Sequence, residues 1–213
     1  MVAAFRETLR TKARSVGRAL SEQELASFET HYRLLQKWSR RMNLTGLKDE
    51  EAIVRRHFLE PLVAADLLEE EGTLVDLGSG NGFPAVPLKI LRPGLDLVLV
   101  ESSEKKSAFL WAVVRELGLK GTSVLTRRVR NLGDLGDLLP CRYLTLRAIR
   151  FGELFKRTGG PILRPDGKAL FFSTPEQAET LRRSPIHGLR VTGTRPIPSN
   201  PLAILAILER ESV

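Results

Sequence analysis

The chain has 213 residues, 42% hydrophobic and 27% charged, the proportions of a globular protein with room for one core and a modest extension. Its formal net charge of +8 suits a polyanionic partner, nucleic acid before an anionic membrane, although a solvated basic surface gives the same count. No apolar stretch approaches the ~20 residues of a membrane span; the lone Cys141 excludes an internal disulfide, and dispersed His31, His57 and His187 argue against a zinc site, so no metal is expected.

Residues 1–20 scatter arginines among apolar positions without a continuous apolar run, and read as a basic helix rather than a secretory signal or an organelle leader. Arg6, Arg10, Arg14 and Arg18 share one face, suited to phosphate contact or simply to solvent. Ser21 with Glu24 forms a capping box for a helix whose Leu25, Phe28, Tyr32, Leu35 and Trp38 make one apolar stripe. That stripe is core in the first instance, with a stacking surface for RNA bases as the alternative. A second helical stretch begins near Asp49 and carries Ile53, Val54, Phe58, Leu62 and Val63, with Pro61 placed to kink or interrupt it.

From Thr73 the pattern changes to strand–helix alternation. Strands are predicted at 73–77, 97–100, 123–125, 143–146, 168–173, 190–194 and 202–208, and helices at 84–91 and 104–117. This is an α/β, Rossmann-like arrangement: a mostly parallel sheet with an antiparallel C-terminal strand pair and an N-terminal helical region. The division falls between residues 1–70 and 71–213.

The most informative stretch is Asp76-Leu77-Gly78-Ser79-Gly80-Asn81-Gly82-Phe83-Pro84, where an apolar strand hands over to a helix. Glycines permit a sharp turn and a close backbone approach to a ligand, and a helix start leaves amides free. Pro84 fits a first helical turn. The spacing differs from the G-x-G-x-x-G of dinucleotide sites, and Asp76 would repel a pyrophosphate. A carboxylate there suits the ammonium of S-adenosylmethionine, and Glu101, about 20 residues on at the next strand end, is placed for ribose hydroxyls. Lys106 falls a helical turn beyond Glu101, while Lys105 reads equally well as an exposed helix face. Arg127, Arg128 and Arg130 follow the third strand at the edge where open α/β sheets take substrates.

With these residues the chain resembles the glucose-inhibited division protein B family, small-subunit (16S) ribosomal RNA guanine-N7 methyltransferases. The resemblance rests on Asn43-Leu44-Thr45, Arg56-His57, the loop with Gly82-Phe83-Pro84 and Pro87-Leu88, Glu101-Ser102, Lys105-Lys106, Phe109-Leu110, Leu117-Gly118-Leu119, Arg128 and Arg147-Ala148. It implies a class I methyltransferase fold, S-adenosylmethionine as donor, and the small ribosomal subunit or its RNA as partner. It places Asp76, Gly78, Ser79, Gly80, Gly82, Phe83, Glu101, Ser102, Arg128, Val129 and Arg147 around the cofactor. Lys106 and Arg147 become the catalytic candidates, facing the mouth of the site or the RNA, with His57 and Asn43 on the face that joins the helical region to that mouth. A cytoplasmic monomer with no membrane partner is the expected setting.

Four positions depart from the family pattern: Arg142 where the fourth strand usually opens with aspartate, Arg130 for an acid, Ser173-Thr174 for Lys-Gly, and Glu60-Pro61 for Asp-Ser. They leave two further readings open, a methyltransferase-fold protein that binds RNA without catalysis and an oxidoreductase with a variant glycine loop.

Overall fold

Two apolar strips decide how the helical part meets the sheet in the computed structural model, which describes residues 2–147, 162–183 and 188–211. His187, and Ala148 of the expected Arg-Ala pair, lie outside the described residues. Helix α1 (Val2–Ser15) buries Phe5, Leu9 and Ala13 at four-residue spacing. Helix α2 (Glu22–Ser39) buries Leu25, Phe28, His31, Tyr32 and Leu35. The two strips meet ring on ring, Phe5 against Tyr32 with centroids 4.1 Å apart. The capping box at Ser21 and Glu24 forms as the sequence predicts, the Glu24 carboxylate accepting from the Ser21 amide at 2.6 Å. Two arginines of α1 reach α2: Arg6 pairs with Glu29, and Arg10 bridges Glu7 of its own helix and Glu22, each at 2.7 Å.

After α3 (Glu50–Ile53), capped by Asp49, the chain widens into a π-helical segment, Val54–Leu59, and tightens into a 3-10 segment, Glu60–Leu67. The change falls at Pro61, which has no amide proton to continue an α-helical ladder. The interruption predicted there is present.

The sheet has seven strands in the order β3-β2-β1-β4-β5-β7-β6: β1 (Gly72–Leu77), β2 (Leu95–Glu101), β3 (Thr122–Thr126), β4 (Cys141–Arg147), β5 (Leu163–Ser173), β6 (Leu189–Pro196) and β7 (Ile204–Arg210). The first five pair in parallel, while β7 runs antiparallel between β5 and β6. Helices α4 (Ala85–Leu91) and α5 (Glu104–Glu116) follow β1 and β2. Strand order reverses between β1 and β4, and in open sheets a ligand crevice forms outside the carboxyl ends at such a point.

Alternation along β1 splits the core. Leu74 faces the cluster built with α1, α2, α4 and α5, whereas Val75 and Leu77 face a second cluster that includes Leu144, Leu146, Ala178 and Leu181. The last two belong to α6 (Pro175–Arg183), a helix absent from the sequence-based expectation. Its nine residues carry only these two buried side chains, too thin a stripe to stand out. Strand β5 begins five residues before the predicted Lys168, across Pro165 and Gly167, which read as a turn in sequence. Strand β7 begins at Ile204 rather than Leu202, whose side chain is 80% exposed.

Candidate active site

The turn after β1 is held from beneath by the neighbouring strand. The amides of Gly78 and Ser79 both donate to the Val100 carbonyl, at 2.9 and 3.1 Å, and Ser79 Oγ donates to the Asp76 carbonyl at 3.0 Å. Gly78, Gly80 and Gly82 have φ of 70°, 55° and 83°, the left-handed region that glycine adopts without strain. At Gly82 packing adds a second reason, since a Cβ there would lie 2.9 Å from Val86 Cγ2. At Gly80 a Cβ would be uncrowded, making an ordinary contact with Gly78 O at 3.6 Å. Pro84 precedes α4 rather than entering its first turn; Pro87 falls inside that turn, where its missing donor is tolerated.

Glu101, the last residue of β2, is 6% exposed and accepts from the amides of Gly80 and Ser103, both at 2.8 Å. It ties the glycine turn to the start of α5. Asp76 lies under the turn at 1% exposure. Its Oδ1 accepts from Thr145 Oγ1 of β4 at 2.6 Å, and its Oδ2 is buried without a partner among the described residues. Burial pushes its pKa up to about 6, against the opposing pull of Thr145, Ser79 and Arg147.

Phe83 is clamped between two imidazoles, His31 at 4.4 Å and His57 at 4.5 Å between centroids, both nearly parallel to it. His31 Nε2 lies 3.1 Å from the Asn81 carbonyl, which makes it the protonated nitrogen, and the Asn81 side chain donates to Leu44 O at 3.1 Å. Thr45 Oγ1 stands 3.1 Å from His57 Nε2. Burial lowers His31 to about 4; burial, then the charge of Arg147, lowers His57 to about 3. Both rings are neutral at physiological pH and act as walls that lock the loop to the helical region.

A cleft of about 430 Å³ opens at the switch point. Gly78, Ser79, Gly80 and Phe83 line one side, and Lys106, Arg147, Arg56 and His57 another. Both catalytic candidates therefore meet the glycine turn. Arg147 ends β4 and donates through Nη2 to Arg56 O and to Glu60 Oε2, each at 2.7 Å. Glu60 is 2% exposed and also accepts from Asn200 Nδ2 at 2.8 Å. Burial brings Arg147 down to about 10, with Glu60 opposing, so the guanidinium stays charged. Its Nη1 is buried without a partner among the described residues.

The other predicted residues lie around this cleft rather than in its wall. Asp76 is beneath it, Gly82 serves packing, and Glu101 is one hydrogen bond away through Gly80. Ser102 and Arg128 are exposed and Val129 half-buried; Arg127 N donates to Glu101 O at 2.9 Å, which sets that segment beside the end of β2. Asn43 is exposed. His31, Asn81 and Glu60 are residues that sequence reasoning missed as parts of the site. His31 could have been found as a polar member of the buried face of α2. Of the departures, Arg142 pairs with Glu69 and Asp166 at 2.7 and 3.2 Å at the opposite end of β4 from the cleft. Ser173 is 6% exposed and donates to Thr174 O; it does not open onto the cleft, and a lysine in its place would be a buried one.

An unpartnered buried carboxylate oxygen, an uncrowded Gly80 and a strand-end acid at Glu101 fit an amino acid and a ribose better than a pyrophosphate. Fold and loop together define a Rossmann-like methyltransferase that uses S-adenosylmethionine. Solved structures agree on the fold: a fibrillarin/Nop5p complex matches with TM-score 0.60 at 14% identity, over 74% of this chain and 82% of that one. A mutant of MtNAS in complex with S-adenosylmethionine matches with TM-score 0.55 at 17% identity, over 95% and 76%. A family model described as rRNA small subunit methyltransferase G matches residues 24–187. The Ribosomal RNA small subunit methyltransferase G of Roseiflexus sp. (strain RS-1) is 34% identical over 97% of this chain and 89% of its own length. That of Stenotrophomonas maltophilia (strain K279a) is 40% identical over 64% and 63%. The chain belongs to the rRNA small subunit methyltransferase G family.

Proposed function

We propose that this chain transfers a methyl group from S-adenosylmethionine to N7 of a guanosine in small-subunit ribosomal RNA. The observation that carries the reading is the meeting of the glycine turn of β1 with Arg147 and Lys106 at the switch-point cleft, in a chain of this family. The cofactor, when bound, supplies an electrophilic methyl. Asp76, beneath the turn, would place negative charge near its ammonium without reaching the cleft surface, and the lone pairs that Glu101 keeps beyond its two amide bonds would accept the ribose hydroxyls. Lys106 and Arg147 hold the anionic RNA so that the target nitrogen faces the turn. Guanine N7 has a lone pair and no proton, so the site needs alignment and exclusion of water and no general base. Buried, neutral His31 and His57 suit that chemistry.

Residues 1–70 form the wall that closes the cleft, and residues 71–213 carry the catalytic sheet. No helix among the described residues is long and apolar enough to cross a membrane. A monomer acting in the cytoplasm on the small subunit or its RNA is the setting that this reading carries. The test is transfer of labelled methyl to intact small subunits and to deproteinised small-subunit RNA, followed by mapping of the labelled nucleotide. Label on a guanosine at which borohydride reduction and aniline cleave the chain, as at N7-methylguanosine, is expected. Label on another atom would refute the N7 assignment, and label on neither substrate would refute the reading.

A further inference from the structure

A larger groove, of about 650 Å³, lies beside the active-site cleft where the end of α2 meets the start of α5. It is lined by Lys37, Trp38, Arg40, Arg41 and Lys105. The four cationic side chains are exposed, and none makes an ion pair or hydrogen bond among the described residues. Arg6 and Arg10 of α1, and Arg18 after it, differ: they are paired with Glu29, Glu22 and Glu24. Four unneutralised charges around one concavity repel each other, an arrangement that favours an anionic occupant.

Aromatic surface accompanies the charge. Trp38 lines the groove and rests edge-on against Phe109, with centroids 5.8 Å apart. Trp111 stands one helical turn beyond Ala108, another lining residue, and is 49% exposed. An indole so exposed on a helix that otherwise buries its large apolar side chains has no packing role that accounts for it. Of the two tryptophans of the chain, Trp38 lines the groove and Trp111 lies one helical turn beyond its lining on α5.

Groove and cleft share no lining residue, but two pieces of chain pass from one to the other. Lys105 lines the groove and Lys106 the cleft; Met42 lines the groove and Leu44 the cleft. Leu44 is tied to the glycine turn by the Asn81 side chain. These neighbours set the groove next to the cleft that takes the target base in the proposed reaction.

We propose that this groove is a docking track for single-stranded RNA, with phosphates on Lys37, Arg40, Arg41 and Lys105 and bases stacked on Trp38 and Trp111. The combination of a cationic groove with aromatic platforms is how single strands are held without sequence preference. The inference rests on RNA being the substrate, and it adds where the strand lies.

The triple variant Arg40→Gln/Arg41→Gln/Lys105→Gln and, separately, Trp111→Ala change exposed side chains outside the cofactor site. Short oligouridylate should quench wild-type tryptophan fluorescence. The triple variant should weaken that binding roughly tenfold or more at low salt and reduce the slope of log affinity against log salt by about 2. Trp111→Ala should weaken it roughly fivefold or more. Affinity for S-adenosylhomocysteine should be that of the wild type in both, and KM for small-subunit RNA should rise while kcat at saturation holds. An active wild type whose variants keep oligouridylate affinity and KM overturns the track and leaves the methyltransferase reading standing. Loss of RNA affinity in the variants of a wild type that methylates no ribosomal RNA keeps the track and removes that reading. Retained RNA binding with lost binding to phosphatidylserine vesicles would overturn the track in favour of a membrane.

Discussion

Glu60 Oε2 lies 2.7 Å from Arg147 Nη2, with the glutamate 2% and the arginine side chain 11% exposed. The pair fixes the cation that ends β4 and leaves its Nη1 without a partner among the described residues. Breaking a buried pair strands the partner's charge, a cost of about 3–5 kcal/mol. Glu60→Gln should keep a polar contact but lose the countercharge. Its expected result is a kcat lower by about tenfold or more, with affinity for S-adenosylhomocysteine changed much less, because the cofactor face of the cleft is built by other residues. Arg147→Ala should damage transfer further with the same split. Full transfer rate in Arg147→Ala would take the residue off the site.

Glu101 serves the loop before it serves a ligand, since its carboxylate already accepts from Gly80 and Ser103. Glu101→Ala should weaken S-adenosylhomocysteine binding by roughly 1–3 kcal/mol through lost charge-assisted hydrogen bonds. Gly80→Val should abolish it, since the new side chain would occupy uncrowded space over a residue at φ 55°. Isothermal titration of both variants is the check; unchanged affinity in both would move the cofactor elsewhere.

Local signals made part of this legible in advance. The Ser21 capping box, the glycine turn and the strand-end Glu101 depend on near neighbours in sequence, and all three are where the pattern placed them. The His31–Phe83–His57 stack was not legible, because its rings come from α2, the glycine loop and the π-helical segment, which tertiary packing brings together. Glu60 shows the same limit from the other side. In sequence it is a departure from an Asp-Ser pair; in the structure it is the anchor of Arg147. Helix α6 escaped because most of its face is solvated.

Acid should destabilise the fold through the two clamping histidines. Burial holds His31 and His57 at about 4 and about 3, while the unfolded chain binds their protons near pH ~6.5. Between those values the unfolded state carries more protons, so stability falls as pH falls. Asp76 works with the opposite sign, because its folded pKa of about 6 lets the native state take up its proton first. Two protons against one leave a net loss on the order of 1 kcal/mol per pH unit between about pH 6 and pH 4. His31→Gln leaves one against one and should shrink the difference in melting temperature between neutral and mildly acidic buffer. An unchanged difference in that variant would contradict a buried neutral imidazole at position 31.

The last expectation separates structural arginines from RNA-facing ones. Arg10 bridges Glu7 and Glu22, and its side chain is 26% exposed against 65% and 73% for its partners. Such surface pairs contribute about 0–1 kcal/mol, so Arg10→Gln should lower stability slightly by loosening α1 on α2. RNA affinity should hardly change, because both charges of the local acids already neutralise this guanidinium. A free phosphate-binding arginine would behave in the reverse way, leaving the melting temperature alone and flattening the salt dependence by about one counterion. Urea unfolding and oligouridylate titration over a range of salt, run on wild type and Arg10→Gln, distinguish the two. A flattened salt slope with unaltered stability would return α1 to the RNA-binding surface and show that its ion pairs with α2 give way when RNA arrives.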